Sequence, residues 1–322
     1  MQTLDDHGWI IEIGEDQEAV LTERVGTAAC LCLPIRVSGY PLTSIEPDAF
    51  DRLEALQAFE LEEGHPSFSV RDGVLFDRTG ERLIRYPMAR MEDTYEVPPT
   101  VRTICAHAFL GAAHLRRLVI PEGVVSAEAR AFSDCPQLVD VTVPGSLVNV
   151  GHEVFRGSFR LNGIQIAPDH PVLRLEGDCL VDNQERILRL CLPGRGTVSL
   201  DAPEDIRFVD DYAFYGCDAL EKIHFHHGLR TLGRYAFYHC EVLKTVELPD
   251  GLRSIGSRAF SGCGHMKQLY IPDSVTSIEY KAFNNCSRLV LLVNKGSYTD
   301  RYCRQFGFPC RHRIQWPWEK NT

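Results

Sequence analysis

Apolar positions along the chain recur with a period far longer than that of a helix or a strand. The dipeptide Ala-Phe stands at Ala49-Phe50, Ala108-Phe109, Ala131-Phe132, Ala213-Phe214, Ala236-Phe237, Ala259-Phe260 and Ala282-Phe283, and Val154-Phe155 is an imperfect eighth copy. Within two blocks, Phe109 to Phe155 and Phe214 to Phe283, the phenylalanines of successive copies are 23 residues apart. The flanking columns keep step. Six residues on lie Leu56, Leu115, Leu138, Leu161, Leu220, Leu243, Met266 and Leu289. Nine on lie Phe59, Leu118, Val141, Ile164, Ile223, Val246, Leu269 and Leu292. Eleven on, every copy is apolar except the last, which has Asn294. A unit this short cannot enclose its own apolar face, so the units must stack and the stack is what folds.

The spacing within a unit predicts its parts. Leu-x-x-Leu-x-Ile ends on alternate apolar residues, which is the period of a strand with one buried face. Pro121, Pro144, Pro249 and Pro272 follow at once and stop it, since proline has no N–H for a ladder. Ala-Phe-x-x-Cys-x-x-Leu has a period of three to four and predicts a short helical or 3₁₀ turn. Strands of adjacent coils are then expected to pair in parallel about 4.8 Å apart.

Phe50 to Phe109 and Phe155 to Phe214 are both 59 residues, and the two gaps carry matching material. His65-Pro66 answers to His170-Pro171, Asp77 to Asp182, and Glu81-Arg-Leu-Ile-Arg85 to Glu185-Arg-Ile-Leu-Arg189. The larger unit therefore repeats at 105 residues, and each gap predicts a β-hairpin around a polar turn. The fold expected is α/β and β-rich: one elongated solenoid of eight stacked coils over residues 35–295, with hairpin insertions near 65–90 and 170–195. Residues 1–34 are expected to cap one end and 296–322 the other, because an open stack exposes core and strand edges. In the second cap, Ser297 is positioned as the N-cap of a short helix through Phe306 that Gly307 stops.

Segments such as Leu248-Pro-Asp-Gly-Leu-Arg-Ser-Ile-Gly-Ser-Arg-Ala-Phe-Ser-Gly-Cys263 and Ile271-Pro-Asp-Ser-Val-Thr-Ser-Ile-Glu-Tyr-Lys-Ala-Phe-Asn-Asn-Cys286 closely resemble the BspA-type leucine-rich repeat. Gly73-Val-Leu-Phe-Asp77, with Tyr86-Pro87, resembles a hairpin insertion common among such proteins. The resemblance spans roughly residues 35–310. It implies a curved solenoid that binds other macromolecules, often from bacterial or protozoan surfaces, and it brings no catalytic residues.

Composition narrows the partners. The chain has 322 residues and a net charge of −10, so it has no general attraction for nucleic acid or anionic membrane. No apolar run approaches the roughly 18 residues that span a bilayer. The N-terminus opens acidic, where an export signal opens basic and then turns apolar, which leads to the expectation of a cytoplasmic protein. Secretion or surface display is the alternative, for a trimmed chain.

Of the twelve cysteines, Cys135, Cys217, Cys240, Cys263 and Cys286 stand three residues after a repeat Phe, a place other copies give to Leu53, Ala112 and Ser158. That column reads as a small packing site. Stacked Cβ vectors run parallel and stay too far apart for easy cross-linking, so free thiols are expected. Cys30-x-Cys32 and Cys303/Cys310 lack zinc-site spacing. His224 and His226 share the outer face of one strand and can share a metal, with His239 a coil later as a third candidate; a solvated strand face is the favoured reading, and no metal or cofactor is expected. Leu192-Pro-Gly-Arg-Gly-Thr197 is not a phosphate loop, since it lacks the Gly-Lys-Ser/Thr ending. No catalytic residue emerges.

Two surfaces remain. The outward strand columns, with Lys222, His224, Glu247 and Tyr270, form a mixed polar face. Tyr212, Tyr215, Tyr235 and Tyr238 flank the phenylalanines of adjacent coils and form an aromatic patch, either for a partner or for stacking between coils. The function expected is a non-catalytic protein-binding scaffold, with no nucleic acid and no membrane insertion. A bacterial surface adhesin or glycan binder is the alternative, and a Cys/His hydrolase a third. Ile314-Gln-Trp-Pro-Trp318, after an arginine-rich stretch, is read as a cap over the last coil or a docking segment.

Overall fold

The computed structural model describes residues 2–4 and 8–313; the Ile314–Trp318 segment lies outside them. The chain divides into two compact units, Met1–Val172 and Leu173–Thr322, each a β-solenoid of stacked coils.

Every regular coil contributes two strands to two separate parallel ladders. In the first unit Thr103–Ile104 pairs with Ser126–Ala127 and that with Asn149–Val150, while Arg117–Val119 pairs with Asp140–Val143 and that with Gly163–Ile166. In the second, Phe208–Val209, Thr231–Leu232, Ser254–Ile255 and Ser277–Ile278 form one such ladder. Partners such as Leu118 and Val141 are 23 residues apart, so the sequence period is the register of the sheet. Between the ladders the phenylalanines form a column. Phe214 and Phe237 lie 4.5 Å apart between ring centroids, Phe237 and Phe260 5.1 Å, and Phe260 and Phe283 5.8 Å, all within 9° of parallel. Phe308, just past the helix Tyr298–Phe306, closes that column at 5.5 Å from Phe283. The helix has the expected ends: the Ser297 hydroxyl accepts from the Asp300 N–H, and Gly307 turns left-handed at φ 65°.

Both gaps hold the expected hairpin, yet neither hairpin stands apart from the coils. Phe68–Arg71, Val74–Asp77 and Arg82–Arg85 form an antiparallel meander whose last strand pairs in parallel with Thr103–Ile104. Leu173–Glu176, Cys179–Asp182 and Ile187–Cys191 do the same against Phe208–Val209. The return strand of each hairpin is thus the first strand of a further coil. Thr94–Glu96 and Ser199–Asp201 supply the second strand of those coils, paired with Arg117–Val119 and Lys222–His224. The stacks therefore hold more coils than the eight that Phe marks. Tyr86 replaces Phe in one and stacks at 5.1 Å on Phe109; Cys191 replaces it in the other, its N–H donating to the Ala213 carbonyl as that of Phe214 does to Ala236.

Two local expectations are corrected. The Ala-Phe segment is a staircase of turns and no helix. Around Phe214, Ala213 and Tyr215 donate within the coil to Asp210 and Tyr212, while Tyr212 and Phe214 donate to Arg234 and Ala236 of the next. Half of the amides are spent between coils, and the residue two before Phe has positive φ (59° at Tyr212, 54° at Tyr235), which breaks any helix. The last coil is also one residue short. Leu291 pairs with Leu269 and is buried with Val293, whereas Leu292, expected inside, pairs with outward Tyr270 and is half-buried. A one-residue slip exchanges the faces of a strand.

At the N-terminal end Trp9–Ile13 pairs antiparallel with Ala19–Arg24, which pairs in parallel with Tyr40–Ile45, and Cys30–Leu33 pairs with Ala58–Leu61. All twelve cysteines are free thiols, and only Cys30 and Cys32 are exposed. The cysteine column does more than fill space. Cys240 and Cys263 each direct Sγ at the Phe carbonyl of the preceding coil, 3.2 and 3.3 Å away, and Ser158 in the same column places its hydroxyl 2.9 Å from Phe132 O. The Phe214 and Phe237 carbonyls already accept the Cys217 and Cys240 N–H groups of their own turns, so the thiols add a second, weaker donor between coils.

Candidate functional site

The strand face of the second unit is built from Ser199–Asp201, Lys222–His224 and Thr245–Glu247. Their middle residues, Leu200, Ile223 and Val246, turn inward, with Ile223 and Val246 buried. The residues on either side therefore face out in rungs. One rung is Ser199, Lys222 and Thr245; the other is Asp201, His224 and Glu247.

The second rung is knit by charge. Glu247 takes Lys222 Nζ on one oxygen and His224 Nδ1 on the other, each at 2.9 Å. The Lys222 hydrogen bond, helped by His224, holds the Glu247 carboxyl below the ordinary glutamate range. His226, two residues beyond His224 on the same face, places Nε2 3.0 Å from Asp201 Oδ1. The two imidazoles lie 4.8 Å apart between centroids, edge to face.

Tyr270 is on Gln268–Tyr270, which belongs to a neighbouring sheet with Val290–Val293 and Cys310–His312. The Arg313 guanidinium lies 4.8 Å over its ring. The tyrosine patch is on the turn side. Tyr212 and Tyr235 stack at 4.7 Å and 5° from parallel, and Tyr215 and Tyr238 lie 5.7 Å apart. All four are half-buried, and Arg258 extends the column over the Tyr235 ring at 5.5 Å. The geometry is that of rungs stacked between coils. His239 sits in this turn, 4.4 Å from the Tyr238 ring, and takes no part in the His224–His226 cluster.

Sequence reading missed Asp201. The signal was present, because Asp201 is 23 residues before His224 and so occupies the same column. It was hidden because its coil lacks the Ala-Phe mark.

Two cavities stand apart from the strand face. One of about 290 Å³ in the first unit is lined by Phe50, Asp77, Arg85 and Cys105. Burial pushes the Cys105 thiol up to about 12, which leaves it a poor nucleophile at neutral pH. Arg85 there is buried and ion-paired with Asp51 at 3.1 Å, a structural arrangement. The other, about 700 Å³, is an apolar groove at the last coil between Tyr280, Phe283, Cys286, Tyr302 and Phe306. Among the described residues, no helix is long and apolar enough to cross a membrane.

With parallel ladders at the 23-residue period and a phenylalanine column, the class of protein is a leucine-rich repeat solenoid. The BspA type leucine rich repeat region matches residues 92–177 and 194–299 in six copies, and the chain belongs to that family. A leucine-rich cell surface protein from Faecalibacterium prausnitzii A2-165 has a similar structure: TM-score 0.64 at 17% identity, over 98% of this chain and 95% of that one. The pneumococcal vaccine antigen PcpA is similar too, with TM-score 0.63 at 17% identity, over 92% and 82% of the two chains. At that identity the likeness speaks for the fold. No curated protein matches the sequence significantly.

Proposed function

We propose that the protein is a non-catalytic recognition scaffold that binds a protein partner through the strand face carrying Lys222, His224, Glu247 and Tyr270. The observation that carries this reading is the rung of fixed, partner-ready side chains on adjacent short strands. The Lys222–His224 strand is held by ladders on both sides, and Thr245–Glu247 and Gln268–Tyr270 by a ladder on one, so little conformational freedom is lost when a partner docks. Both signs of charge and an aromatic ring are present within one surface, which favours a polar protein face over nucleic acid or lipid. The tyrosine patch is the weaker candidate, since its rings already spend their faces on one another.

Glycan binding at a cell surface is the second reading, favoured by the similar structures of a cell surface protein and a vaccine antigen. The free thiols favour a reducing compartment and hence a cytoplasmic protein. Thiol titration of the denatured chain without reductant separates the two: a full count supports the cytoplasm and a count near zero removes it.

Affinity capture with the purified chain tests the face. His224→Ala/Tyr270→Ala is expected to lose partners that the wild type retains. Tyr215→Ala/Tyr238→Ala is expected to retain them while melting at a lower temperature. Retention of the full partner set by the first double variant overturns the choice of face.

A further inference from the structure

We infer that Asp201, His224 and His226 form a binding site for a divalent transition-metal ion of the zinc type, with Glu247 as the residue that positions His224. The inference does not depend on the protein-binding reading.

One ligand atom from each of these three residues lies within 4.8 Å of the other two. A tetrahedral ion with bonds of about 2.1 Å needs its donors roughly 3.4 Å apart. The His226 Nε2 to Asp201 Oδ1 distance is 3.0 Å and the donor pairs with His224 lie within 4.8 Å, so taking up an ion requires the first pair to open slightly and the His224 ring to close in by up to about 1.4 Å. Asp201 is largely exposed, at 72%, and can adjust its side chain, while the strands that carry Asp201 and His224 are fixed by their ladder and His226, two residues past the strand end, follows the Phe225 N–H bond to the Glu247 carbonyl at 3.1 Å.

The donor set is two imidazoles and a carboxylate. That combination suits zinc and its borderline neighbours and is a poor match for calcium or magnesium, which take oxygen. Three protein ligands leave a fourth position open, and here it opens to solvent.

Glu247 supplies what an isolated surface cluster lacks. Its Oε2 takes Nδ1–H of His224 at 2.9 Å, which sets the tautomer and leaves Nε2 as the free lone pair. Lys222 on Oε1 holds that carboxylate in place at 2.9 Å. A carboxylate behind a ligating histidine is the arrangement that orients such ligands and raises their basicity. All four residues come from successive coils of one column or from two positions beyond it, so the repeat itself assembles the site.

The test is calorimetric titration of the full chain with Zn²⁺ alone, with any histidine tag removed and Cys30→Ser/Cys32→Ser as the background, so that the exposed thiols do not contribute. One ion per chain is expected. Asp201→Asn, His224→Gln and His226→Gln are each expected to weaken binding at least tenfold without lowering the melting temperature. Glu247→Ala is expected to weaken it about tenfold to a hundredfold, and Glu247→Gln to restore it, because an amide oxygen accepts the same Nδ1–H. Titration with Co²⁺ is expected to give a visible d–d spectrum with no thiolate charge-transfer band. Absence of uptake, unchanged binding in a His224→Gln/His226→Gln chain, or a thiolate band overturns the assignment.

Discussion

His65 and His170 hold equivalent places in the two halves of the duplication, and the same hydrogen bond explains both. Nδ1 of His65 accepts the N–H of Ser67 at 3.2 Å, and Nδ1 of His170 that of Val172 at 3.1 Å. Nε2 of His65 then donates to the Pro34 carbonyl at 3.1 Å. Both residues are buried, and burial holds both imidazoles below the ordinary histidine range. Protonation would place a hydrogen on the accepting nitrogen. With the folded pKa below the unfolded value of about 6.5, their contribution is complete above that value and is lost as pH falls through the lowered folded values. The urea midpoint is therefore expected to drop between about pH 7.5 and about pH 5. In His65→Asn/His170→Asn the drop should be smaller, because an asparagine oxygen makes the same two-residue turn without titrating. Equal drops in both chains would refute the assignment. The sequence shows the two His-Pro pairs as a duplicated mark; their role is invisible there, since a ring nitrogen accepting a backbone N–H leaves no periodic trace.

At the scale of the element, inward and outward positions were legible while the conformation of the turns was not. Alternation alone separates buried Ile223 and Val246 from outward Lys222, His224 and Glu247. The left-handed corner two residues before Phe is filled by His107, Arg130, Glu153, Tyr212, Tyr235, Arg258 and Lys281, with φ between 54° and 60°. No glycine announces it, so the segment reads as helical. Glycine matters two residues earlier, where coils touch. A Cβ on Gly256 would stand 2.6 Å from the Gly233 carbonyl carbon and 2.7 Å from Arg234 N, both backbone atoms that cannot swing aside. Gly256→Ala is expected to cost about 1–3 kcal/mol by overpacking that contact. Chemical denaturation measures it, and a neutral result would mean the coils are more loosely stacked than described.

Across the whole molecule, the duplication at 105 residues and the two hairpins were readable, and the coils marked by Tyr86 and Cys191 were not, because a different side chain fills the phenylalanine column there. The same blindness concealed Asp201 and with it the third member of the His224–His226 cluster. What the register does guarantee is interchangeability: a residue and the one 23 places on meet the same neighbours. Excising residues 237–259 joins Ala236 to Phe260 and restores every column, so the shortened chain is expected to fold with an unchanged β-rich circular dichroism spectrum and one coil fewer. Excising half a coil sets a strand against a turn and should leave an aggregating product; equal folding of both deletions would refute the repeat as the structural unit. The length of this protein is in effect quantised, and copy number is the currency in which its gene can grow or shrink without unfolding what it encodes.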